Sequence, residues 1–271
     1  MNPKYKYIWY RTGMLFMFHA AVISIIRKML CVTLLFLSFS TLAQESKQTL
    51  GGTITATNNG ISIIPSFSLD KPAINFNMSM SGERFSFDPL LQFGMNGKPW
   101  SFVFWGRYKM IKQERFTLTI GGHPAFLFLE EDLIVGNVPD RQMIANRYLA
   151  GEINSNYMIN KKLSMGLYYL SGSGIQTIAA KKIDFLALNT IISDIRLYQD
   201  FQIKINPQIY FLDVDGDSGF YVNSSFTISK TDFPILLQGF FNQKLISTIQ
   251  GENLLWNVSL LYTFSNNISK K

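Results

Sequence analysis

The sequence contains few charged residues, two histidines and a single cysteine. Asp, Glu, Lys and Arg make up only 16% of its 271 residues, whereas hydrophobic residues make up 47%. That balance excludes an intrinsically disordered protein, because disorder requires low hydrophobicity and high charge. The lone Cys31 excludes a disulfide-stapled scaffold. Composition therefore predicts one large folded domain.

The net charge of +7 is concentrated near the N-terminus. Removing the five basic residues of positions 1–43 from the total of 25 leaves 20 basic residues against 18 acidic ones. The remainder is nearly neutral and has no Lys/Arg stripe, so we expect no nucleic-acid partner. The five residues are Lys4, Lys6, Arg11, Arg27 and Lys28.

The segment RKMLCVTLLFLSFSTLAQ, residues 27–44, has the order of a secretory signal peptide. Two basic residues precede a short apolar run, and small residues precede Gln44. The run is shorter than the roughly 20 apolar residues of a membrane-spanning helix. We expect cleavage after Ala43, which makes residues 44–271 the mature domain. We also expect residues 1–26 to be an upstream extension, with translation starting near Arg27.

Beyond about Thr49 the chain alternates between apolar and polar residues, which is the pattern of β-strands with two different faces. In residues 74–81, for example, Ile, Phe and Met alternate with Asn and Ser. The pattern predicts an all-β protein of about twelve strands. They lie near 60–69, 73–81, 84–95, 99–110, 113–122, 147–159, 162–171, 180–196, 200–213, 218–229, 233–244 and 253–264. Residues 51–59 also fit the pattern, so 10–14 strands are compatible with it.

The connections between these strands alternate between short turns and longer loops, the longest being 123–143. Such alternation is typical of bacterial outer-membrane barrels, which have turns in the periplasm and loops outside. The polar faces carry Asn, Gln, Ser and Thr with few charged residues, whereas the surface of a soluble protein is usually rich in charged residues. We therefore predict a closed antiparallel transmembrane β-barrel, because only a closed barrel pairs every strand backbone in lipid. The alternative is a secreted soluble β-barrel that binds a small apolar ligand inside.

The alternating strands, the signal peptide and an aromatic last strand with Tyr262 and Phe264 resemble the small β-barrel outer-membrane proteins of Gram-negative bacteria. The resemblance implies an outer-membrane location and contact with outer-membrane lipid. It also implies recognition of the last strand by the barrel-assembly machinery. The sequence departs from the family pattern in that SNNISKK follows Phe264.

The alternation also predicts which side chains face the lumen and which face lipid. The lumen candidates are Arg107, Glu152, Asp184 and Lys204, and the aromatic girdle candidates are Trp100, Tyr108, Trp256 and Tyr262. Barrels of about eight strands are filled by side chains, and barrels of about sixteen strands hold a water-filled channel. A barrel of about twelve strands therefore has a lumen of intermediate width. We therefore predict a non-enzymatic narrow channel for a small polar solute, or a structural barrel with a plugged lumen.

Two segments are candidate sites of chemistry. His123 is the only histidine of residues 44–271, and we place it in a kinked loop without a Ser or Asp partner. An outer-membrane lipid hydrolase is therefore a weak alternative, because a general base needs an orienting partner. The run Asp213–Gly219 resembles the start of a calcium loop, but Ser218 replaces the required glycine. We expect a solvated hairpin turn there, and no catalytic residue, cofactor or metal.

Overall fold

The described residues, 48–135, 138–177 and 179–268, form twelve β-strands in a computed structural model. The predicted extension and signal peptide lie outside them. The strands are β1 (Gln48–Thr57), β2 (Ala73–Ser81), β3 (Phe85–Gly94), β4 (Pro99–Lys112), β5 (Phe116–Val135), β6 (Val138–Asn160), β7 (Leu163–Gly174), β8 (Ile183–Tyr198), β9 (Phe201–Val214), β10 (Asp217–Lys230), β11 (Ile235–Ser247) and β12 (Leu254–Ile268). A 3-10 helix occupies Pro65–Phe67.

The sheet closes on itself. Each strand pairs antiparallel with its neighbours in sequence, and β1 pairs with β12 through a register that runs from Gln48↔Ile268 to Thr57↔Ser259. The predicted fold class is confirmed. No helix within the described ranges is long and apolar enough to cross a membrane.

The first strand is not where the sequence pattern placed it. Residues 60–69 form no strand; they belong to the β1–β2 connection, and β1 is the earlier segment Gln48–Thr57. Several apolar residues of 60–69 pack inside the barrel mouth instead, where Ile64, Phe67 and Leu69 contact the buried core. The predicted strand at 60–69 is therefore wrong, although the predicted number of strands is confirmed.

The predicted loop 123–143 is also wrong. The strands β5 and β6 continue as one long hairpin whose register extends from Phe116↔Tyr157 to Val135↔Val138. His123 therefore lies within a strand rather than in a kinked loop. The hairpin extends beyond its neighbours, because β4 pairs with β5 only as far as Leu127 and β7 pairs with β6 only as far as Tyr148.

The outer wall is apolar around the whole barrel. Large apolar side chains are exposed on every strand of the wall from β2 to β12, as at Met80, Ile153, Leu188 and Leu260. A soluble barrel would expose charged residues on that face, whereas a wall of this kind is stable in a hydrocarbon environment. The protein is an integral outer-membrane β-barrel, and the soluble alternative does not hold.

The inside of the barrel changes character along its axis. Buried apolar residues, including Leu127, Tyr210 and Leu212, fill the half that carries the longer connections. Longer connections are extracellular in outer-membrane barrels, so we call this the extracellular half. The opposite half is lined by small polar and amide side chains, such as Asn154 and Asn206.

Candidate functional site in the lumen

An ionic cluster lies on the inner wall near the middle of β4. Arg107 Nε donates to Glu152 Oε1 at 2.6 Å, and Arg107 Nη1 donates to Asp88 Oδ2 at 2.9 Å. The Tyr168 hydroxyl donates to the second Glu152 oxygen at 2.7 Å. One guanidinium therefore bridges carboxylates from β3 and β6 and is held on two sides.

The neighbouring backbone makes room for this cluster. Gly121 of β5 lies between Arg107 and Glu152, and a Cβ at Gly121 would be 2.8 Å from Glu152 Oε1. On the other side, Ser79 and Ser86 donate to the Asp88 carboxylate at 2.5 and 2.8 Å. Every charge of the cluster thus has hydrogen-bond partners, as a group removed from bulk water requires.

Two aromatic rings separate the ionic cluster from the extracellular half. The Arg107 guanidinium lies 4.2 Å from the centre of the Trp105 ring, which is a cation–π contact. Trp105 in turn packs on His123 with ring centroids 3.7 Å apart. The Nδ1 atom of His123 is buried and has no hydrogen-bond partner within the described part of the chain.

Three extracellular connections close the barrel mouth, and we call their described residues the cap: 58–72, 175–177 with 179–182, and 248–253. Phe67, Ala179 and Ile249 from these connections pack in the same buried cluster. The indole of Trp100 donates to the Phe67 carbonyl at 2.8 Å. The cap is therefore fastened to the wall by both apolar contact and a hydrogen bond.

A stack of aromatic side chains supports the cap from β8, β9 and β10. Phe185, Tyr210 and Tyr221 pack in sequence with ring centroids 4.9 Å apart at each step. The Tyr210 hydroxyl donates to buried Asn242 at 2.9 Å, which satisfies its polar end. This stack fills one side of the extracellular half.

A cavity of about 360 Å³ remains between the cap, the wall and the two rings above the ionic cluster. Its lining is mostly apolar and includes Ile64, Phe67, Trp100, Leu127, Tyr148 and Phe185. Trp105 and His123 form its floor. Sequence reasoning did not find this cavity, because its residues come from distant segments of the chain.

Below the ionic cluster the lumen is open to solvent. Lys204 lies opposite Thr227 on the inner face, and Lys204 is exposed. Amide contacts such as Asn223 to Gln208 at 2.8 Å line the wall nearby. Of the four predicted lumen residues, Arg107 and Glu152 lie in the ionic cluster, whereas Lys204 stands apart from it.

The predicted lumen position of Asp184 is wrong. Its neighbours Ile183 and Phe185 are buried in the core, so Asp184 lies on the outer face with Leu186 and Leu188. There it pairs with Lys182 at 3.0 Å and accepts a hydrogen bond from Tyr169 at 2.8 Å. The polar residue faces outward here because the lumen at this height is apolar.

The predicted girdle position of Trp100 is also wrong. Trp100 is only 3% exposed. On β3, Gln92 pairs with Ser101 and Phe93 pairs with Pro99, so Trp100 is the extra residue of a β-bulge. The bulge turns its indole into the lumen. Tyr108, Trp256 and Tyr262 are 38%, 57% and 48% exposed on the outer wall. Their position at the membrane interface stays a prediction.

The run Asp213–Gly219 spans the end of β9, the two-residue turn of Asp215 and Gly216, and the start of β10. Asp215 and Gly216 adopt positive φ angles of 54° and 97°, which short polar residues and glycine tolerate in tight turns. The Asp215 carboxylate accepts backbone N–H groups of Lys181 and Lys182 at 2.8 and 2.7 Å. This carboxylate therefore holds the neighbouring connection in place. Across the ranges described, no three His, Cys, Asp or Glu residues converge as a metal site.

No protein-family model and no curated protein sequence matches the chain. Several solved structures resemble it. One is a KdgM porin in complex with disordered oligogalacturonate, which is 10% identical in sequence and has a TM-score of 0.48. The match covers 80% of this chain and 99% of the porin chain. An outer-membrane channel from Pseudomonas putida F1 has 9% identity, 83% and 97% coverage, and a TM-score of 0.47. A NanC porin has 9% identity, 80% and 99% coverage, and a TM-score of 0.45.

Proposed function

We propose that this protein is a non-enzymatic outer-membrane barrel that forms a narrow channel, closed at its extracellular end by the cap. The observation that supports the proposal is the filling of only half the lumen. The extracellular half is packed by cap residues such as Phe67, whereas Lys204 in the other half is exposed. A small polar solute is the cargo that the amide-lined half would accept.

Conductance across a planar bilayer tests this proposal. The native protein should show no steady conductance, and a variant whose residues 61–69 are replaced by a Gly-Ser linker of equal length should conduct. Heat-modifiable gel mobility verifies that the variant has folded. A folded variant that stays silent would establish a purely structural barrel instead, and steady conductance by the native protein would refute closure by the cap.

The environment of His123 supports a non-enzymatic role. A histidine base needs an acceptor that orients its ring. In this barrel His123 packs against Trp105, and its Nδ1 has no hydrogen-bond partner among the residues described. Loss of a lipase or esterase activity in a His123→Gln variant that still folds would overturn this part of the proposal.

We also propose that β12 is the segment that the barrel-assembly machinery recognises. Tyr262 and Phe264 lie on the same outer face of β12, with ring centroids 6.4 Å apart. Replacing Phe264 with Ala should lower the amount of folded barrel in the outer membrane, while Thr263→Ala on the inner face should not. Equal amounts of the two variants would contradict this role of β12.

A further inference from the structure

We propose that the cavity beneath the cap is a binding site for an uncharged, largely apolar molecule of about two aromatic rings in size. This goes beyond a channel for polar solutes, and it holds whether or not the barrel conducts.

The size of the cavity suits a small organic ligand. An apolar cavity of about 150 Å³ is enough to bind benzene, and ligand pockets begin near 300 Å³. The cavity here has about 360 Å³. A two-ring molecule or a short acyl chain therefore fits, whereas an oligosaccharide does not.

The lining selects for apolar molecules. Leu127, Tyr148 and Phe185 are buried residues of the wall, and Ile64 and Phe67 close the cavity from the cap. An ion or a sugar would lose its hydration here without compensation.

The ionic cluster isolates the cavity from the polar half of the lumen. Arg107 lies directly against Trp105, whose ring forms part of the cavity floor. An apolar molecule that arrived from the polar half would have to pass this charged group. The cavity is only partly enclosed, and the lipid side of the wall offers an approach that passes no charged group.

The wall has an interruption at the cavity. In the ladder between β4 and β5, Val103 pairs with Ala125 and the next pair is Gly106 with Gly122. Pro124 lies in the gap, and proline has no N–H to donate to a ladder. We call this gap the seam. Cavity-lining residues flank it on both strands, namely Val103 and Trp105 on β4, and His123 and Ala125 on β5.

The lipid side of the seam is uncharged. Phe104 and Phe126 meet there with ring centroids 6.3 Å apart, beside Pro124. Pro89 and Pro207 interrupt other ladders, but cavity residues do not flank those gaps on both strands. The seam is therefore the place where an apolar molecule would exchange between the bilayer and the cavity.

Tryptophan quenching by 1-bromonaphthalene tests the binding site. In a Trp256→Phe variant, Trp100 and Trp105 are the tryptophans left in residues 44–271, and both line the cavity. With the protein in lipid nanodiscs, we expect a saturable loss of emission. Adding Ala125→Phe should fill the cavity and weaken binding about tenfold or more, about 1.4 kcal/mol.

The matched control is Ala56→Phe, which adds the same side chain on the outer wall beside Leu260. It should leave saturation unchanged. Quenching that rises linearly and equally in all three proteins would overturn the site. If the Ala125→Phe protein does not show heat-modifiable mobility, Ala150→Leu replaces it, because Ala150 also lines the cavity.

A disulfide across the seam tests the route. The pairs Val103↔Ala125 and Gly106↔Gly122 on either side of the seam share one register, which puts Phe104 opposite Pro124 and should bring cysteines at these two positions within bridging distance. In the oxidised Phe104→Cys/Pro124→Cys protein, association of the probe should slow about tenfold, roughly 1.4 kcal/mol of barrier. Reduction of the same protein should restore the rate. Equal rates in both forms would refute entry through the seam.

Discussion

Arg107 of β4 and Glu152 of β6 form an ion pair across Gly121 of the intervening strand β5. The Arg107 Nε atom lies 2.6 Å from Glu152 Oε1. The Glu152 side chain is only 1% exposed, so its charge depends on Arg107 and on the Tyr168 hydroxyl for compensation. A buried charge that loses its partner is strongly destabilising, whereas replacing both partners together is often tolerated. This pair is therefore the point of the lumen where substitution effects should be largest.

Arg107→Met should lower the free energy of unfolding by about 3–5 kcal/mol, because it leaves the Glu152 carboxylate buried without its cation. The double variant Arg107→Met/Glu152→Met should recover a large part of that loss. Urea unfolding in lipid vesicles measures these effects. The control is Lys112→Met, which breaks an exposed 3.3 Å pair with Glu83 and should cost less than about 1 kcal/mol. Equal losses at Arg107 and Lys112 would contradict the importance of burial.

Gly121→Ala should destabilise the barrel, because the added Cβ would meet Glu152 Oε1 at 2.8 Å and the Gly106 carbonyl oxygen at 3.0 Å. Overpacking of this kind typically costs about 1–3 kcal/mol. Gly239→Ala is the matched control, since a Cβ there meets nothing within 4 Å. Urea unfolding compares the free energies of unfolding of the two variants. Equal values would show that the ionic cluster can move to accommodate the extra methyl group.

Trp100→Phe should make the cap open more often. The change removes the 2.8 Å hydrogen bond to the Phe67 carbonyl while keeping an aromatic ring in the cavity wall. We expect brief conductance events in planar bilayers that the native protein lacks. Trp256→Phe on the outer wall should remain silent. A silent Trp100→Phe protein that folds normally would show that apolar packing alone holds the cap.

Cysteine labelling distinguishes the two faces at Asp184 and Lys204. Asp184 lies on the outer face near the extracellular end of β8, so Asp184→Cys should react with a membrane-impermeant thiol reagent on intact cells. Lys204 lies on the inner face below the closed half, so Lys204→Cys should react only after the periplasm is opened. The mature domain is predicted to contain no other cysteine. Labelling of Lys204→Cys on intact cells would mean that the cap does not close the lumen.

The alternation of apolar and polar residues was enough to predict the barrel, the number of its strands and the inward position of Arg107. These features are local, because neighbouring residues of a strand point to opposite faces whatever else the chain does. Around Arg107 the rule that polar residues face the lumen holds, since that part of the lumen is polar.

Near the extracellular end that rule fails, because the packing of distant segments there sets which face of a strand is inside. The lumen there is filled by the cap, so Ile183 and Phe185 face inward and Asp184 faces out. The apolar residues of 60–69 enter the mouth instead of forming a strand, and a bulge turns Trp100 inward. When both faces of a wall are apolar, a binary pattern carries no information about which face is inside. The local alternation of residues is therefore enough to predict the barrel and its polar half, whereas the cap and the cavity depend on contacts between distant segments.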